Sequence, residues 1–86
     1  MSWDYRIVRY KDGQGYGLHE VYYDDTGLPW AMTDDPVAFT CDAHEDAKVS
    51  IQEQLMMAKT NARLRPIFEE PDEWPGKNPA DRKTES

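Results

Sequence analysis

The chain of 86 residues has one cysteine, Cys41, which excludes a scaffold held by internal disulfides and fits a reducing compartment. It also lacks any apolar run near the ~20 residues that a membrane-spanning helix needs. Asp4, Arg6, Arg9 and Lys11 charge the N-terminus too heavily for a secretory signal. The expected address is therefore the cytoplasm, with no membrane contact. Basic residues are scarce: ten Lys and Arg stand against 17 Asp and Glu, a net charge of −7. None falls between Lys11 and Lys48, a stretch holding nine acids: Asp12, Glu20, Asp24, Asp25, Asp34, Asp35, Asp42, Glu45 and Asp46. Such a field repels phosphate backbones, so no direct nucleic-acid binding is expected.

Aromatic residues are plentiful: three Trp, five Tyr and two Phe make up 12% of the chain, enough large rings for one compact core. Rings and aliphatics alternate with charges over residues 3–11, the period of a half-buried strand. Gly13 and Gln14 read as a two-residue hairpin loop leading to a second strand over 16–24. Asp25, Thr26 and Gly27 suit a three-residue loop with Gly27 left-handed, and a third strand follows over 28–33. Asp34, Asp35 and Pro36 turn the chain, and residues 37–41 are a candidate fourth strand.

These loops set a register with Ile7 opposite Glu20, Tyr5 opposite Tyr22, Tyr22 opposite Trp30 and Glu20 opposite Met32. One face then gathers Trp3, Tyr5, Ile7, Leu18, Tyr22, Trp30 and Met32. The other carries Asp4, Arg6, Val8, Tyr10, His19, Val21, Tyr23, Ala31 and Thr33. A helix is expected from Asp42 as N-cap, with Glu45 in capping-box position. Its stripe of Ala47, Ile51, Leu55, Ala58 and Ala62 leaves room for rings on the first face. Pro66 stops it, and Ile67 and Phe68 close an edge of the core. Residues 69–86, rich in Pro and charge, read as a disordered tail. The expectation is an α+β domain over residues 1–68: an antiparallel three- to four-stranded meander with one C-terminal helix packed on one face, followed by the disordered acidic tail.

No reaction chemistry stands out, and the protein is expected not to be an enzyme. Gly13, Gly15 and Gly17 mimic a phosphate loop, but a strand follows them where a dinucleotide site requires a helix. Cys41 and His44 have C-x-x-H spacing, yet with His19 they are the only Cys and His, one short of a four-ligand structural zinc site. Asp24, Asp25 and Asp42 lack the D-x-D-x-D-G pattern of a calcium loop. No metal or cofactor is expected. Glu20 falls on the apolar face, where an ion pair with the diagonal Arg9 would satisfy it.

Trp3, Tyr5 and Arg6, then His19, Glu20, Val21, Tyr22, Tyr23 and Asp24, then Gly27 and Pro29, resemble the W-x-Y-R, H-E-V-Y-Y-D and G-x-P pattern of a family of uncharacterised short bacterial proteins. The likeness runs from the first strand through the helix to Arg65, Pro66 and Ile67. It implies a bacterial, cytoplasmic, single-domain protein and carries no activity with it.

One helix covers only one face of a sheet. The second face, with Arg6, Val8, Tyr10, His19, Val21 and Tyr23, has the aromatic and Arg content of an interface. The expected function is that of a non-enzymatic accessory protein binding a protein partner, or a second copy of itself, through that face. An ordinary solvated sheet face is the plainer alternative. An acidic inhibitor from a phage or mobile element, blocking a nucleic-acid-binding defence enzyme by charge mimicry, is the other.

Overall fold

The computed structural model describes residues 2–78. It is α+β: β1 (Ser2–Arg9), β2 (Tyr16–Tyr23), β3 (Pro29–Met32), one helix α1 (Ala47–Leu64), and a short β4 (Phe68–Glu69). The strands form a curled, mixed sheet in the order β3-β2-β1-β4. β1, β2 and β3 make the expected antiparallel meander, whereas β4 lies parallel to β1, with Val8 beside Phe68 and Arg9 beside Glu69. Residues 37–41 form no strand; Val37 alone donates to the Leu18 carbonyl, at 2.8 Å. The fourth strand comes after the helix, because a parallel neighbour for β1 requires a crossover.

The first hairpin loop is longer than expected. Arg9 pairs with Tyr16, and Tyr10 N–H donates to the Gly15 carbonyl at 3.0 Å. Ile7 therefore faces Leu18, and Tyr5 faces Glu20. This register differs from the expected one by two residues, and a shift of two keeps every side chain on its face. The second hairpin has the expected three-residue loop: Asp24 N–H bonds the Leu28 carbonyl at 2.8 Å, and Gly27 has φ +85°. A bulge next to it places Ala31 opposite Tyr22 and Met32 opposite Val21. That one-residue offset exchanges the expected faces of Ala31 and Met32, so Met32 lies on the side of Val21 and Ala31 on that of Tyr22, the outcome of a single extra residue.

The helix starts later than expected. Asp46 is its N-cap, accepting from Val49 N–H at 3.3 Å. The Asp42 and Glu45 exchange exists, with Asp42 N–H on Glu45 Oε2 at 2.9 Å, but it closes a separate turn ahead of the helix. Arg65 ends the helix by bonding back to the Asn61 carbonyl at 2.8 Å, and Pro66 follows. α1 lies along β1. β4 covers β1 only at Val8 and Arg9, and Asn61 Oδ1 takes the Tyr5 N–H at 3.0 Å in place of a strand. Of the expected stripe, Ala58 is buried, Ile51 and Ala62 are half-buried, and Ala47 and Leu55 are exposed.

The buried apolar side chains are Tyr5, Val8, Val21 and Ala58. Tyr5 meets the edge of Trp3 at 5.1 Å and tilts against Phe39 at 6.2 Å. Val8 and Val21 lie on the opposite side of the sheet, which also carries Phe68. Trp74 stacks on Phe68 at 5.8 Å. Residues 70–77 run as a strap from the end of β1 to the turn between β2 and β3. Glu70 N–H donates to the Arg9 carbonyl at 3.0 Å, and Gly76 N–H to the Pro29 carbonyl at 2.8 Å. Residues 69–78 are thus held against the sheet where a disordered tail was expected; residues 79–86 of that tail lie outside the described residues.

Candidate functional site

The six residues expected to form an open binding face are not gathered on an open surface. Val8 and Val21 are fully buried and His19 is 1% exposed. His19 Nδ1 donates to the Thr33 carbonyl at 2.9 Å, since a carbonyl can only accept. Its Nε2 meets the Tyr10 hydroxyl at 2.7 Å, with the two rings edge to face. Tyr10, Arg6 and Tyr23 are half-buried. Val8, His19 and Val21 are core instead, because Phe68 of β4 lies beside Val8 and Trp74 of the segment after β4 stacks on Phe68.

One end of this side remains open. Trp3, Asp4, Arg6, Tyr23 and Arg65 line a recess of about 320 Å³, with Ser2 and Gly27 at its margin. Strand alternation aims Asp4 and Arg6 to the same side of β1, and the register brings Tyr23 alongside on β2. Arg65 arrives from the C-cap of α1, where an extended residue turns the chain toward Pro66. The Tyr23 hydroxyl donates to Asp4 Oδ1 at 2.7 Å and accepts from Arg6 Nη1 at 2.9 Å. Burial, then the bond to Asp4, raises the Tyr23 phenol above its usual range, with Arg6 opposing, so it stays protonated. Asp4 Oδ2 pairs with Arg65 Nε at 3.1 Å. Arg6 Nη2 donates to the Pro66 carbonyl at 2.9 Å, and the guanidinium lies 5.2 Å from the Phe68 ring centre.

The other candidates are assembled differently from the sequence reading. Glu20 accepts from the Tyr22 hydroxyl at 3.0 Å, while Arg9 pairs with Glu69 at 3.6 Å on the exposed edge. Cys41 is half-buried and His44 exposed. Among the described residues, no three His, Cys, Asp or Glu side chains converge as metal ligands would. Asp24 is buried and structural: its Oδ1 accepts from Thr26 N–H, Thr26 hydroxyl and Leu28 N–H, and its Oδ2 from Lys77 N–H. These bonds, the Thr26 hydroxyl first, hold its carboxyl well below the usual carboxylate range.

No family model, curated protein or solved structure matches the chain.

The outer side of α1 is the second notable surface, and sequence reasoning missed it. Val49, Met56, Met57 and Leu64 are all exposed, Met56 at 68%, and so is Ile67 beyond the helix end. The signal was legible: Val49, Met56 and Leu64 recur at steps of seven and eight residues, one side of a helix.

Proposed function

We propose that the protein is a non-enzymatic interaction module that binds a protein partner, or a second copy of itself, through the outer side of α1. The carrying observation is the exposed row of Val49, Met56, Met57 and Leu64 on a helix whose only buried residue is Ala58. Clustered exposed apolar side chains of this kind suit an amphipathic helix that meets another surface. The net charge of −7 supports a protein partner over a nucleic acid. Among the described residues no helix is long and apolar enough to cross a membrane.

The test is a capture experiment and a sedimentation series with wild type and a Met56→Lys, Leu64→Lys double variant. The expected result is a partner, or a dimer, that the double variant loses while melting at the wild-type temperature. A captured complex that tolerates both substitutions but collapses steeply with salt would instead favour charge mimicry. The exposed acids Asp34, Asp35, Asp42, Glu45 and Asp46 ahead of α1 are the observation behind that second reading.

A further inference from the structure

The geometry points to the recess between Arg6 and Arg65 as a binding site for a monocarboxylate. Arg6 is a half-buried side chain whose partners among the described residues are all neutral: the Tyr23 hydroxyl, the Pro66 carbonyl and the Phe68 ring. Among the described residues it makes no ion pair, and its Nε is buried without any acceptor. Removing a cation from water without a counter-ion is costly, and a bound anion offsets that cost.

Asp4 does not serve as that counter-ion. It is 8% exposed and already engaged by Arg65 Nε and the Tyr23 hydroxyl. Arg6, Arg65 and Asp4 together leave one uncompensated positive charge at the recess. One negative charge balances it, whereas a dianion would meet the Asp4 carboxylate as excess. The long-range field of the acidic chain is screened within about 8 Å at physiological salt, so the local balance decides.

Shape narrows the class further. A guanidinium presents a flat fork of N–H groups that matches the two oxygens of a carboxylate. Arg65 reaches Asp4 through Nε, its side chain is 57% exposed, and it lines the recess. A volume of about 320 Å³ sits at the small end of ligand pockets. The carboxylate can belong to a small metabolite or to the C-terminus of another polypeptide. The site shares no residue with the outer side of α1, so the two proposals stand or fall separately.

The test is a titration of the full chain, followed by amide NMR shifts, with 3-phenylpropionate, 3-phenylpropionamide and inorganic phosphate. Saturable shifts at Asp4, Arg6 and Tyr23 are expected with the carboxylate, with the amide and phosphate at least ~10-fold weaker. Arg65→Gln, at an exposed side chain, should keep the wild-type spectrum elsewhere and weaken the carboxylate ~10-fold. A short peptide ending in Phe, free or amidated at its C-terminus, separates the sources: at least ~10-fold tighter binding of the free peptide than of 3-phenylpropionate assigns the site to a chain end, and otherwise to a small acid. No saturable shift with millimolar carboxylate, equal binding of the amide or phosphate, or an unchanged affinity in Arg65→Gln would each overturn the assignment.

Discussion

Lys77 and Asp24, 53 residues apart in the chain, meet at 3.1 Å, the Lys77 backbone N–H donating to Oδ2 of the carboxylate. The same carboxylate closes the turn between β2 and β3 through Thr26 and Leu28. One side chain therefore shapes a hairpin and anchors the strap laid across the sheet.

Acid should release this anchor. The Asp24 carboxyl titrates below its ordinary range in the folded protein, so the unfolded chain takes up its proton first as pH falls. Its stabilising contribution is complete above the ordinary value of about 3.9 and fades as pH drops below it. Asp24→Asn should melt at a lower temperature than wild type at pH 7, and the difference should shrink on acidification. Parallel melting curves from pH 7 to pH 2 would contradict this.

Loss of the strap should destabilise the fold, although its composition suggests a dispensable tail. Trp74 stacks on Phe68 and is half-buried, so Trp74→Ala should cost about 1–3 kcal/mol. Truncation after Glu70 also removes the bonds from Gly76 and Lys77 and should lower the urea midpoint further. Coincident unfolding curves for wild type and the truncated chain would show that the strap contributes nothing.

The two sheet faces should respond unequally. Val21 is fully buried, and Val21→Thr places a hydroxyl there at a cost of about 1–3 kcal/mol. Leu18 is only half-buried, so Leu18→Ala should fall below the usual core range of ~2–5 kcal/mol. Equilibrium unfolding of both variants ranks them, and a larger loss at Leu18 would reverse the assignment of the core.

Tyr10, His19 and Gly17 should behave as one unit. A Cβ on Gly17 would collide with the Tyr10 hydroxyl and come within 3.2 Å of His19 Nε2. Tyr10→Phe leaves Nε2 without its partner, a loss of about 1–3 kcal/mol, and Gly17→Ala displaces the same hydroxyl. The double variant should therefore lose less than the two single losses added together. Strict additivity in a double-mutant cycle would show that the contacts are independent.

Much of this architecture is legible one segment at a time. Alternation along β1 and β2 sorts their side chains onto two faces, and the sorting survives a first loop longer than expected because the error is an even number of residues. Asp25, Thr26 and Gly27 specify their own loop, since Gly27 supplies the left-handed φ that closes it. The helix is announced by its spacing and by Pro66. The recess is legible in part: alternation places Asp4, Arg6 and Tyr23 on one face, and only Arg65 joins them through the path of the chain after the helix.

The sequence by itself determined local geometry: which residues of β1 and β2 share a face, where the second turn lies, and that one helix follows the meander. Only the tertiary structure decided that the second face is buried too, with Val8 and Val21 on it as well as Tyr5 on the first. Both faces carry enough apolar area to be covered, so alternation cannot rank them. The choice falls to residues 68–77, whose hold on the sheet lies in backbone N–H groups on Arg9, Pro29 and Asp24 and in one stacked pair of rings. Backbone hydrogen bonds belong to every residue type and leave no trace in composition, which is why a segment of Pro, Glu and Asp reads as a tail and folds as a strap.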